Sequence, residues 1–182
     1  MDTLPDYLKN DLLFISIGLN PNPRSVEAGF YFANPRNRFW KALNRSRLLD
    51  VNLEPGVAAM ETLFSKYKIG FTDLVKRPSP MGKDLRATDY REWAPELKDK
   101  LLEYQPVIAW FHGQGTYNNY MKYVEGINAK SALGIQKHTI GKTSIFVTPN
   151  PSPANAKFSL DDLIRAYNEM ASWRIREAFG VG

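Results

Sequence analysis

Four short apolar runs constrain the fold of this chain more than any other feature. They are Leu12–Ile17, Ile69–Val75, Val107–Phe111 and Thr143–Val147. Each is too short for a buried helix, is rich in β-branched or aromatic residues, and is followed by a glycine, proline or polar turn. The stretches between them carry apolar residues at helical spacing. Asn37–Leu49 places Phe39, Trp40, Leu43 and Leu48 on one face, and Leu53–Tyr67 does the same with Val57, Met60, Leu63 and Phe64. Glu92–Tyr104 has Trp93, Leu97 and Leu101 four apart, and Pro106 stops it. Thr116–Val124 reads as a further helix. Ser159 with Asp162 three residues later opens the last one, whose stripe is Leu160, Leu163, Ile164, Tyr167 and Met170. Gly126–Gly141 has no clear period. The order β-α-α-β-α-β-α-β-α predicts an α/β chain, a three-layer α/β/α sandwich around a four-stranded parallel sheet, with residues 1–182 as a single domain.

In such sheets ligands bind beyond the carboxyl ends of the strands. Those ends fall near Asn20, Asp73, His112 and Asn150, so these residues should share one rim. Pro21 and Pro23 fix φ around Asn20 and should make its loop stiff. Three consecutive rings, Phe30, Tyr31 and Phe32, follow, then a basic segment with Phe39 and Trp40. An amide, a ring platform and arginines suit a flat polar ligand on a phosphate backbone; residue types alone fit a strand-to-helix connection with core aromatics better.

Charge distribution speaks to the partner. The net charge is +5, and although the chain holds 19 acidic residues, none falls within residues 28–49 or 126–160. Those stretches carry Arg36, Arg38, Lys41, Arg45 and Arg47, and Lys130, Lys137, Lys142 and Lys157. If the topology brings both to one rim, the surface is built for a polyanion. The absence of cysteine excludes disulfides, zinc–thiolate sites and iron–sulfur clusters, and His112 and His138 alone do not make a metal set. No signal-peptide pattern or membrane-length apolar run is present, so a cytoplasmic protein is expected.

The run Gly18-Leu19-Asn20-Pro21 through Gly29-Phe30-Tyr31-Phe32-Ala33-Asn34-Pro35-Arg36-Asn37-Arg38-Phe39-Trp40-Lys41 resembles the first motif of the mismatch-specific uracil-DNA glycosylases and thymine-DNA glycosylases. The likeness returns at Gly70–Pro78 and Pro149–Ser152, so it covers most of the chain. It implies the same three-layer fold and a monomeric hydrolase that excises uracil, or another deaminated or mismatched base, from DNA in base-excision repair without metal or cofactor. It implies that Asn20 orients the attacking water, that Phe32 stacks on the extruded base, and that Leu19 brings backbone polar groups to the pocket. Asn150 and Ser152 match the second motif, whose loop approaches the minor groove.

Three departures from that pattern stand out. Asp73 is an acid where the compared relatives have none. It can act as a general base and stabilise a cationic sugar beside or instead of Asn20, or it can be a helix cap, a turn-former or an ion-pair partner of Lys76 or Arg77. Pro153-Ala154-Asn155-Ala156 replaces Gly-Leu-Ser-Arg, and Ala154 is too short for the expected wedge, which puts the preference for mismatched duplex in doubt. Asn22 replaces a glycine and should narrow or repolarise the rim. Arg36, Arg38 and Lys157 are the expected phosphate contacts, with Pro153, Ala154 and Asn155 on the DNA-facing loop. His112 is either a DNA contact or a histidine satisfied within the rim. A catalytically inactive nucleic-acid-binding module on the same fold is the alternative reading. An enzyme of free nucleotides would show a phosphate-cradling glycine loop, and Gly18-Leu19-Asn20-Pro21 is not one.

Overall fold

A computed structural model describes residues 2–180. The elements are β1 Phe14–Gly18, α1 Pro23–Ala28, α2 Phe39–Arg45, α3 Val57–Ser65, β2 Ile69–Asp73, α4 Ala87–Tyr104, β3 Ile108–His112, α5 Gln114–Tyr120, β4 Gly134–Ile140, β5 Thr143–Thr148 and α6 Leu160–Phe179. The strands form one sheet in the order β2-β1-β3-β5-β4. All pairings are parallel except β4 with β5. The three-layer α/β fold is as expected, but the sheet has five strands rather than four, and it is mixed. The added strand is the stretch without a clear period. β4 is an edge strand whose exposure alternates along a polar sequence, and a register irregularity between Ile135 and Thr139 breaks its pairing. Of its seven residues only Ile140 is buried, so it lacks the continuous apolar run that marks the four central strands.

Two apolar layers cover the sheet. Helices α2, α3 and α6 bring Phe39, Leu43, Met60, Leu63, Leu163 and Tyr167 against Phe14, Phe71, Trp110 and Phe146. On the other face α4 and α5 bring Ala94, Leu97, Leu101, Tyr117 and Tyr120 against Ile15, Ile17, Ala109, Phe111, Ile145 and Val147. Successive strand residues point to opposite faces. Phe71 and Asp73, Ser16 and Gly18, and Trp110 and His112 therefore share the α2/α6 face.

Local chemistry explains where the helices begin. Ser159 Oγ accepts from the Asp162 N–H at 3.1 Å while Asp162 Oδ2 accepts from the Ser159 N–H at 2.8 Å, the reciprocal cap read from the spacing. α4 starts at Ala87 rather than Glu92, because the Asp89 carboxylate accepts from the Arg86 N–H at 2.7 Å. The stiff loop after β1 contains the short helix α1. Asn22 caps it, its Oδ1 accepting from the Arg24 N–H at 3.0 Å, and Pro23 stands in its first turn. Asn22 thus has a local structural role as well as a place on the rim.

Candidate active site

Register builds the floor of the site. Gly18 pairs with Asp73 in β2, and His112 follows Phe111, the partner of Ile17, in β3. Asp73, Gly18 and His112 therefore stand side by side at the carboxyl end of the sheet, with the glycine between the two titratable side chains. A Cβ at Gly18 would lie 2.6 Å from Asp73 Oδ1, so the carboxylate occupies the space a side chain would need. Above this row lies a cavity of about 720 Å³, within the size range of ligand pockets. Its wall includes Leu19, Asn20, Phe32, Asp73, His112, Asn150 and Ser152, together with Arg36, Pro153 and Ala154. Each strand end named from the sequence reaches this cavity.

Asn20 is held in one orientation. Its Nδ2 donates to the Arg77 carbonyl at 3.0 Å and to Ser79 Oγ at 2.7 Å. A carbonyl can only accept, and the Ser79 hydroxyl already donates to the Met81 carbonyl at 2.8 Å. The amide nitrogen must therefore face these partners. Oδ1 accepts no hydrogen bond among the described residues and remains for a molecule in the cavity.

Asp73 is 5% exposed, and its Oδ2 has no hydrogen-bond partner. The nearest cation is Lys76, its Nζ 4.0 Å away. That ammonium is already engaged, donating to the Leu4 carbonyl and to Asp6 Oδ1, both at 2.8 Å. Arg77 is turned away and pairs with Asp89 at 2.7 Å. The carboxyl of Asp73 is consequently pushed up to about 7, because burial disfavours its charge more than Lys76 favours it. It is not a helix cap or a partner of Arg77. It is a buried acid that titrates near neutrality on a cavity wall.

Phe32 stacks on Phe39 with centroids 4.1 Å apart and meets the edge of His112 at 5.2 Å. Its φ of 58° lies in the left-handed region, which a bulky residue adopts only when its surroundings impose it. Here the Ala33 N–H donates to Ser25 Oγ at 3.1 Å, tying the aromatic segment to α1. Tyr31 is a core ring whose hydroxyl donates to the Pro5 carbonyl at 3.0 Å, and Phe30 packs edge-on against Trp40. His112 is 2% exposed, with Nε2 2.7 Å from Ser16 Oγ. Burial lowers its pKa to about 3, so it is neutral and belongs to the cavity floor rather than to a charged DNA contact.

The second loop is internally braced. Asn150 Oδ1 accepts from the Ser152 N–H at 2.9 Å, Ser152 Oγ accepts from the Ala154 N–H at 3.3 Å, and Asn155 Nδ2 donates to the Asn150 carbonyl at 2.9 Å. Arg38, expected as a phosphate contact, has a different position. Its guanidinium donates to the carbonyls of Ser152 at 3.2 Å, Asn155 at 2.9 Å and Phe158. Those donors fasten the loop to the start of α2 and are not free for a phosphate. Arg36 borders the cavity, and Lys157 is exposed with its Nζ 5.4 Å over the Phe158 ring. Ser79, Lys76 and Met81 were missed as site residues. The turn that holds them could be read as basic and proline-rich, but its bonds to Asn20, 57 and 59 positions away, leave no mark in local spacing.

Among the described residues no group of three or more His, Cys, Asp or Glu side chains could hold a metal, and no helix is long and apolar enough to cross a membrane. A sequence profile described as the uracil DNA glycosylase superfamily matches residues 5–171. Among solved structures, the chain is similar to that of a candidate uracil DNA glycosylase from Methanosarcina acetivorans, determined by solution NMR. The likeness has a TM-score of 0.63 at 20% identity and covers 96% of this chain and 97% of the other. At that identity the second likeness speaks for the fold.

Proposed function

Because the chain belongs to the uracil DNA glycosylase superfamily, we propose that it is a DNA N-glycosylase of the mismatch-specific uracil and thymine type, removing uracil from DNA as a monomer. In this reaction water adds to C1′ of the deoxyribose. The C1′–N bond breaks with its electron pair leaving on the base, which then takes up a proton. Positive charge grows on the sugar in the transition state. The observation that carries the reading is the pairing, on one cavity wall, of an amide oxygen held open at Asn20 with the buried carboxyl of Asp73.

The roles follow from those positions. Asn20 Oδ1 accepts a hydrogen bond from the attacking water and orients it. Asp73, when ionised, offsets the charge on the sugar and can take the proton that the water releases. Phe32 offers a ring to the extruded base; such stacking is worth roughly 1–3 kcal/mol. Leu19, Asn150 and Ser152 complete the wall around it. Pro153, Ala154 and Asn155 face the DNA on the second loop, and Arg36 and Lys157 meet its phosphates.

Single-turnover cleavage of an oligonucleotide with one uracil, placed opposite guanine, opposite adenine and unpaired, tests the reading. The wild type is expected to excise, and both Asn20→Ala and Asp73→Asn to slow excision by at least on the order of a hundredfold, the scale of a single acid–base or charge-stabilising group. The wild-type rate should rise with pH through about 7 as Asp73 ionises, and the Asp73→Asn profile should be flat there. Unchanged excision in Asp73→Asn alongside loss in Asn20→Ala would remove Asp73 from the chemistry. No excision by the wild type in any context would overturn the uracil reading.

A further inference from the structure

We propose that Met81 is the apolar wedge that enters the duplex when a nucleotide turns into the cavity; this rests on the glycosylase reading above. Extrusion leaves a gap in the base stack, and proteins that open or kink a duplex commonly fill such a step with an apolar side chain. Two loops flank the cavity. The loop after β5 offers Pro153 and Ala154, and Ala154 ends in a single methyl group. The loop after β2 offers Pro80, Met81, Gly82 and Lys83. Among the described residues Met81 is, at 53%, the most exposed large apolar side chain, and of the exposed ones it alone borders the cavity.

An exposed methionine on a loose loop would mean little, but the backbone of Met81 is fixed. Its carbonyl accepts from Ser79 Oγ at 2.8 Å and from the Asp84 N–H at 3.0 Å, and its own N–H donates to Asp84 Oδ2 at 3.1 Å. The next residue presses on the cavity wall, since a Cβ at Gly82 would lie 2.5 Å from Leu19 Cδ2. The loop is thus seated while its longest apolar side chain stands in solvent. The hydroxyl of Ser79 also accepts from Asn20 Nδ2 at 2.7 Å. One hydroxyl therefore sets both the wedge and the amide that orients water, so a base step opened by Met81 is in register with Asn20. An unbranched thioether adapts to base steps of different shape. Lys83, two residues on and also at the cavity, is placed for the flanking phosphate.

The test compares single-turnover excision of uracil from duplex and from single strand, since a wedge matters only where a stack must be held open. Met81→Ala should lower the duplex-to-single-strand rate ratio by roughly tenfold or more, in line with the cost of unstacking a base step, and Met81→Leu should keep it near wild type. A second readout needs no turnover. A duplex carrying 2-aminopurine beside a 2′-fluorinated, non-cleavable deoxyuridine should brighten on binding wild type and brighten less with Met81→Ala. An unchanged ratio, or an equal loss on both strands, overturns the wedge while leaving the glycosylase reading intact. A wild type that neither excises uracil from either strand nor brightens the duplex overturns the glycosylase reading, and the wedge with it.

Discussion

At the residue scale, Asp73 and His112 are two buried titratable groups flanking Gly18, displaced in opposite directions. The acid has moved up from an ordinary value of 3.8 to about 7, and the histidine down from 6.5 to about 3. Between about pH 4 and 7 the folded chain keeps a proton on Asp73 that the unfolded chain has lost, so stability falls as pH rises through this window. Between about pH 3 and 6.5 the unfolded chain holds a proton on His112 that the folded one lacks, so this contribution rises with pH. A shift of about three units corresponds to on the order of 4 kcal/mol for Asp73 at neutral pH and above. Removing the charge should therefore stabilise the protein. Asp73→Asn is expected to match wild type near pH 4 and to gain on the order of 8–16 °C in Tm by about pH 8. Thermal melts of both proteins across that range check this, and a pH-independent difference would show that Asp73 is not held against its charge. The same substitution should cost excision. A group that destabilises the fold in the state the chemistry needs is the signature of a functional site.

At the scale of elements, the central strands were legible because both their faces are buried, and a doubly buried strand must be apolar throughout. β4 was not, because an edge strand in which only Ile140 is buried can be written in Gln136, Lys137 and His138. The site shows the same division. Asn20 and Asp73 stand at or just beyond strand ends, where topology alone predicts a rim, and Phe32 joins them from the segment after α1. What holds them is carried by contacts across the chain: Lys76 to Leu4, Asn20 to Ser79, and Arg38 to the loop after β5. No local pattern records such pairs. Arg38 is the clearest case, since a basic residue in an acid-free segment reads as a phosphate contact until its carbonyl partners are seen. Arg38→Ala should release residues 150–158 from α2, costing on the order of 2–3 kcal/mol for several charge-assisted bonds. Arg38→Lys should recover little, because a single ammonium cannot span the carbonyls of Ser152, Asn155 and Phe158. Denaturant melts of the two variants decide this, and full recovery by lysine would mean that charge alone was needed.

At the scale of the whole molecule, the two acid-free stretches meet only in part. Asn34, Arg36 and Asn37 of the first border the cavity with Asn150, Ser152, Pro153 and Ala154 of the second. Lys142 does not join them. It stands in the two-residue turn between β4 and β5, at the edge of the sheet opposite the cavity, because β5 runs parallel to the central strands and must start there. At least one lysine of the acid-free stretches therefore lies away from the cavity. Of the basic side chains, Arg36 and Lys83 border the cavity, and Lys157 is exposed on the second loop. Each phosphate neutralised steepens the dependence of log affinity on log salt by about 0.9 on duplex DNA. Replacing Arg36, Lys83 or Lys157 by alanine should therefore flatten the slope by about one unit each, while Lys142→Ala leaves it unchanged. Arg38→Ala separates the two roles an arginine can have here. If it braces the loop, affinity falls and the slope stays; if it meets a phosphate, both fall together. Salt titrations of duplex binding with these five variants distinguish a surface organised around the cavity from charge spread over the whole chain, since only the former makes Lys142 silent while Lys83 counts.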